Sequence, residues 1–210
     1  MDNIYLKFPT IEDKNKWIEY IKEYRLDNPK AKPLGCTEDI NYEEWLNKIT
    51  NEHNGINLQE GRVPSSVYFL MCNDRIVGNL SIRHNINNNF LSLYGGHIGY
   101  GVRPSERRKG FATIMLNLAL EKCEELDIKD VMVTCKEDNV GSAKTIENNL
   151  GVLKEIIFIP EENCSFKKYF INVKEVLNKK DIIKKSIKNK YLVVILSIFY
   201  NKLRCKKWFI

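Results

Sequence analysis

The sequence predicts an α/β (α+β) domain: a mixed, mostly antiparallel sheet flanked by helices, with a helical extension at the C-terminus. Three observations predict it. Hydrophobic periodicity switches between two and 3.6 residues along the first 172 positions, in the order strand, two helices, three strands, helix, strand, helix, two strands. Apolar residues make up 43% and charged residues 29%, the balance of a packed globular core rather than a disordered chain. Composition then changes after residue 172. Residues 173–210 hold eleven Lys and Arg against two acids, a net of +9, whereas 1–172 hold 22 basic and 25 acidic residues, a net of −3. The chain's overall charge of +6 therefore belongs to its tail, and gives no argument for nucleic-acid binding by the body.

Each element has its own signal. Tyr5 to Phe8 alternates and is stopped by Pro9, a short strand. Thr10 can cap the helix that follows, whose apolar face is Trp17, Ile21 and Tyr24. Asn28 to Gly35 reads as a loop, and Tyr42, Trp45, Leu46 and Ile49 as one face of a second helix. These aromatic stripes are core faces before they are binding residues. Residues 50–64 read as a polar loop. Val67 to Met71 and Arg75 to Arg83 form a hairpin across Asn73-Asp74. A break at Asn85 to Asn89 leads to a strand containing His97. From Gly110 the period is helical, with Met115, Leu116, Ala119, Leu120 and Cys123 on a broad apolar face. Val131 to Cys135 is a strand. A short helix is capped by Asn139, runs through Asn149 and is stopped by Gly151. Val152 to Ile159 and Phe166 to Val173 close the domain as a strand pair. There is no internal repeat.

The six cysteines (Cys36, Cys72, Cys123, Cys135, Cys164 and Cys205) lie outside metal-ligand spacing of one another, so no metal site is expected. Cys72, Cys123 and Cys135 sit in apolar patterns, as reduced thiols do. The start, Met1-Asp2-Asn3, has neither a basic nor an apolar leader region, so no signal peptide is expected and the expected compartment is cytoplasmic.

The chain is organised around His97 to Ala112. Gly99 and Gly101 alternate within a strand, which marks either a bulge or a close backbone approach. Arg107, Arg108 and Lys109 precede Gly110 at a helix start. Unpaired amides of a helix N-terminus bind anions, and a glycine lets phosphate oxygens come close. The dinucleotide fingerprint is absent because Pro104 stands where its third glycine is needed, and no Gly-Lys-Ser/Thr occurs.

Val102-Arg103-Pro104-Ser105 followed by Arg107-x-x-Gly110-x-Ala112 resembles the acetyl-CoA signature of the GNAT superfamily of N-acetyltransferases, Gln/Arg-x-x-Gly-x-Gly/Ala. Asn139, Ser142 and Gly151 resemble its later Asn-x-x-Ser/Ala motif, and Gly95 to Gly101 resembles an uncharacterised bacterial branch of predicted acetyltransferases. The resemblance implies a GNAT acyl-CoA N-acyltransferase domain over 1–172, followed by a basic, apolar extension over 173–210. It implies acetyl-CoA as co-substrate, without a metal. Amides from Arg108 through Phe111 to Ala112 would hold its pyrophosphate, and Arg107, Arg108 and Lys109 would supply charge. The strand edge around Tyr100 to Val102 would pair with the pantetheine arm, and Asn139 would touch that arm from the other side.

The implied reaction is direct attack of a primary amine, on a small molecule or a peptide, upon the thioester. An alkyl ammonium with a pKa of about 10.4 must first lose a proton. A backbone amide of the glycine strand would stabilise the oxyanion. Many family members protonate the leaving thiolate with a Tyr four residues after the Ser of the second motif. Ile146 stands there. Ser142, Tyr100 or water could replace it. His97 is a candidate base and also a candidate packing residue, with His84 behind it. Glu52 and Glu60 could attract a cationic amine or be merely solvated. A non-catalytic CoA-binding sensor or interaction module is the alternative, kept open by Ile146.

In the tail, Tyr191 to Tyr200 carries no charge, too short a stretch for a membrane span of about 20 residues. It reads as a helix packing on the domain or on a second copy in a homodimer. A basic amphipathic helix on an anionic membrane, or an adventitious extension, would also account for it. It lacks the aromatic spacing of a nucleic-acid stacking surface.

Overall fold

The computed structural model describes residues 2–29, 33 and 41–182. Of the loop expected at 28–35, residues 30–32, 34 and 35 lie outside the described residues, as does the apolar stretch at 191–200. A first compact unit ends at Val173, and the backbone of 173–182 is helical. Among the described residues no helix is long and apolar enough to cross a membrane.

The elements are β1 (Ile4–Lys7), α1 (Lys14–Asp27), α2 (Tyr42–Asn54), β2 (Ser65–Cys72), β3 (Arg75–Arg83), β4 (Ile98–Val102), α3 (Phe111–Glu125), β5 (Asp130–Lys136), α4 (Val140–Glu147), β6 (Val152–Ile159) and β7 (Cys164–Asn172). They follow the order read from periodicity. Every strand pairing is antiparallel, in two sheets ordered β1-β2-β3-β4 and β5-β7-β6. The two meet where β4 begins beside β5. There the His97 N–H donates to the Met132 carbonyl at 2.8 Å, and no ladder continues along β4 beyond it.

Strand alternation distributes the helices. Asn79 of β3 points at Tyr20 of α1, while its neighbour Gly78 faces Met115 of α3, so α1 and α3 cover opposite faces. The first face carries an aromatic core. Trp45 stacks on Phe69 at 5.8 Å between centroids, and Trp17 lies 5.4 Å from Trp45. The second face buries Met115, Leu116, Ala119, Leu120 and Cys123 completely, the stripe read from the sequence. Truncating one such large side chain to alanine costs about 2–5 kcal/mol. Burial also pushes the Cys123 thiol up to about 12, which keeps it an inert hydrophobe.

Local chemistry moved several boundaries. Thr10 heads a one-turn 3₁₀ segment, Ile11–Asp13, rather than α1 itself; its amide and hydroxyl both donate to Asp13 Oδ2, at 2.9 and 3.0 Å. The helix α2 continues five residues into the expected polar loop, through Asn54. Asn41 caps its start by accepting the Glu44 N–H at 2.7 Å, and Gly55, at φ 68°, closes its end. Asn73 and Asp74 both adopt positive φ, the hairpin turn expected of that pair. α4 ends at Glu147, and the left-handed residue after it is Leu150, not Gly151. Gly151 is needed for space instead, since a Cβ there would lie 2.3 Å from Ile146 Cγ2. A π-helical turn, Leu91–Gly95, precedes β4 and has no counterpart in the periodicity.

Glu23 of α1 fastens the turn after β4. Its carboxylate accepts from Arg103 Nε at 2.5 Å and from the Ser105 N–H at 2.8 Å. Burial alone would raise its pKa; the Ser105 amide and Arg103 outweigh burial and hold it at about 2. A folded pKa below the ordinary 4.5 gives stability that is complete above pH 4.5 and lost as pH falls toward 2. Glu23→Gln should therefore lower Tm at neutral pH and flatten its fall across that window in thermal scans. A mutant whose Tm drops through the window as steeply as wild type would show that other carboxylates set the acid limb.

Candidate active site

Because β4 leaves β5 after His97, a wedge opens between them, closed by the N-termini of α3 and α4. A cleft of about 400 Å³ fills it. Val102, Arg107, Arg108, Gly110, Phe111, Ala112, Asn139 and Ser142, all singled out in the sequence, line this cleft, and Tyr100 forms part of its wall. Lys109 does not, and Thr113, Gly141 and Thr145 join them.

One end of the cleft is built for an anion. The first intrahelical bond of α3 is Ile114 N–H to the Gly110 carbonyl at 3.2 Å, so the amides of Phe111, Ala112 and Thr113 have no acceptor within the helix. Gly110 stands at φ 83° with open space where a Cβ would be, and Arg108 is also left-handed, at φ 66°. The three cations of the loop are not equivalent. Arg107 pairs with Asp27 at 2.9 Å and lies over the Tyr24 ring, and Lys109 pairs with Glu106 at 2.8 Å. Among the described residues Arg108 has no ion-pair partner.

The other end holds Tyr100. Its hydroxyl is buried without a hydrogen-bond partner. Burial pushes its pKa up, while the hydroxyls of Ser142 and Thr145, outside bonding geometry, work against that rise. Asn139 caps α4 by accepting the Ser142 N–H at 3.0 Å, which fixes Ser142 at the cleft. Ile146 is fully buried under Gly151, so position 146 faces the core.

Backbone donors along β4 follow from register. Arg103 N–H donates to the Val77 carbonyl and Arg83 N–H to the His97 carbonyl, so the odd-numbered residues of β4 bond β3. Tyr100 and Val102 therefore direct their amides to the open edge. The pairing with β3 has no register shift, so Gly99 and Gly101 mark no bulge. Gly101 marks a close approach: a Cβ there would sit 2.7 Å from the Tyr24 hydroxyl, which donates to the Val102 carbonyl at 2.7 Å.

A second cleft, of about 540 Å³, lies on the far side of β4 and shares Tyr24, Tyr100 and Gly101 with the first. Its floor is Asn79, Ser81 and Arg83 of β3 against Gly99 and Gly101 of β4. A polar stripe at period two on an inner strand was the signal in the sequence that could have pointed to it.

His97 lines neither cleft. Its Nδ1 accepts the Met132 N–H at 3.0 Å, and burial, then the Arg83 charge, lowers its pKa. Through Nδ1 and its own N–H the residue clasps the two sheets together, and its ring lies outside both clefts. His84 is likewise outside both clefts, bonded through Nε2 to Ser66 Oγ at 2.7 Å. Glu52 lines the second cleft and pairs with Arg62 at 3.6 Å, whereas exposed Glu60 lines neither. Among the described residues no group of three or more His, Cys, Asp or Glu could hold a metal ion.

The family model of the acetyltransferase (GNAT) domain matches residues 4–149. The chain belongs to the GNAT acetyltransferase family. Solved structures agree in fold with this GNAT chain. RimJ of Mycobacterium smegmatis, in complex with CoA-disulfide, superposes with a TM-score of 0.61 at 16% identity, over 82% of this chain and 83% of that one. Ribosomal-protein-S5-alanine acetyltransferase from Vibrio fischeri gives 0.59 at 16%, over 80% and 92%. The putative acetyltransferase YncA from Salmonella typhimurium, with its cofactor acetyl-CoA, gives 0.55 at 11%, over 81% and 94%. None of the curated proteins matches this GNAT chain.

Proposed function

We propose that this GNAT domain moves the acetyl group of acetyl-CoA directly to a primary amine. The observation that carries it is the meeting of the two clefts at Tyr24, Tyr100 and Gly101. One cleft has open amides at one end and a buried, unpartnered hydroxyl at the other, and the second gives an acceptor access to the same point. The cofactor-bound relatives support the choice of co-substrate.

Bound acetyl-CoA supplies the thioester. The α3 amides, with Arg108, hold the pyrophosphate; Arg107 and Lys109, already paired, contribute field rather than contact. The Tyr100 and Val102 amides bond the pantetheine arm and the developing oxyanion. The amine enters through the second cleft and loses its proton to water there. As the C–S bond breaks, Tyr100 donates its proton to the departing thiolate, with Ser142 beside it, and the phenolate regains a proton through water from the newly acylated nitrogen.

Thiol release from acetyl-CoA, measured against a panel of primary amines, tests the reading. Turnover with at least one amine class is expected. Calorimetric binding of acetyl-CoA with no thiol release on any amine would favour a CoA-binding sensor instead.

A further inference from the structure

The second cleft is rich in donors and short of acceptors. Lys48, Arg62 and Arg83 line it against one carboxylate, Glu52, which pairs with Arg62. Arg83 carries the argument. Its Nη1 donates to the carbonyls of Gly95 and Gly96, both at 3.1 Å. Among the described residues no carboxylate pairs with it, and burial lowers its pKa. Among the described residues its Nη2 has no hydrogen-bond acceptor of its own. An atom at the Cβ position of Gly99 would lie 3.8 Å from that Nη2 and 3.6 Å from Ser81 Oγ. Glycine at 99 thus leaves open a niche bounded by a guanidinium edge and a hydroxyl. Trp45 lines the same cleft, and among the described residues its buried indole N–H has no partner either.

We infer that the acetyl acceptor carries an oxyanion, a carboxylate or a phosphate, seated on Arg83 Nη2 and Ser81 Oγ beside Gly99, with its amine at Gly101. This rests on the acetyl-transfer reading. The two points are two residues apart on one strand, about 7 Å. An α-amino acid cannot bridge that span through its own amine. A linker of roughly four methylenes can, with bonds of about 1.5 Å. A diamine of equal length would place a second ammonium against the guanidinium.

The test compares pentylamine, 1,5-diaminopentane, 5-aminopentanoate and 4-aminobutyl phosphate as acceptors. The two anionic amines should exceed the others by about 10- to 100-fold in kcat/KM, the range of a hydrogen bond to a charged group. Their relative rank identifies the anion. Calorimetry with pentanoate, butyl phosphate and pentanol reads the niche without turnover, so a failed niche and a failed transferase give different results. Arg83→Gln should abolish the preference. Because Arg83 also anchors Gly95 and Gly96, Gly99→Val serves as the second variant: it fills the niche, should abolish oxyanion binding, and should leave acetyl-CoA affinity unchanged. Oxyanions binding no better than pentanol, diamines used as well as the anionic amines, or a preference surviving both variants would each overturn the inference.

Discussion

Replacing Gly110 with glutamate should reduce acetyl-CoA affinity by at least about 100-fold, on the scale of losing charge-assisted hydrogen bonds. Two effects add. At φ 83° any side chain strains the backbone, by about 1–2 kcal/mol. The new carboxylate would also stand among the amides of Phe111 to Thr113, where the pyrophosphate is proposed to sit. No atom lies within 4 Å of the added Cβ, so the protein itself meets no clash. An acid at a helix N-terminus interacts favourably with the dipole, which offsets part of the strain. The fold should therefore survive while binding is lost. Gly110→Ala separates the two effects, since it keeps the strain without the charge and should cost tenfold or less. Calorimetry on the glutamate variant with near wild-type affinity would remove the phosphate site from this loop.

The residues that show how much was legible are those whose role is set locally. The stripe Met115 to Cys123, the Asn139 cap and the Asn73-Asp74 turn depend on spacing within a few residues, and the structure keeps all three. The cleft proposed to hold the cofactor was legible for the same reason, because a helix N-terminus is a local object. What failed to show was set by partners far along the chain. His97 bonds Met132, 35 positions away, and nothing near His97 encodes a clasp between sheets. Arg107 lines the cleft as expected, but its pairing with Asp27, 80 positions earlier, could not be read from the residues around it. Gly101 is glycine because of Tyr24, and Ile146 is apolar because Gly151 lies against it. The proposed acceptor niche is the intermediate case. The alternating Asn79, Ser81 and Arg83 were visible, but only pairing with Gly99 and Gly101 turns an alternating strand into a cleft floor.

Tyr100→Phe separates catalysis from structure more cleanly than any other change at the site. Its hydroxyl is buried and unpartnered, so deleting it removes an unsatisfied polar group and should leave Tm unchanged or slightly higher. The Tyr100 amide is kept, and acetyl-CoA affinity should change less than about threefold, less than one net hydrogen bond. If the hydroxyl protonates the thiolate, kcat should fall by about 10²- to 10³-fold, the usual contribution of a positioned acid. The pH profile adds a second readout. Burial raises the phenol pKa above its ordinary value of 10.0, so the acid form persists through neutral and mildly alkaline solution. Wild-type activity should then climb with pH as the acceptor amine deprotonates, with no loss from Tyr100 until pH exceeds that raised value. In the phenylalanine variant the climb should persist at a uniformly lower rate. A variant that keeps its full kcat would transfer the acid role to Ser142 or to water, and Ser142→Ala would then be the mutant to lose it.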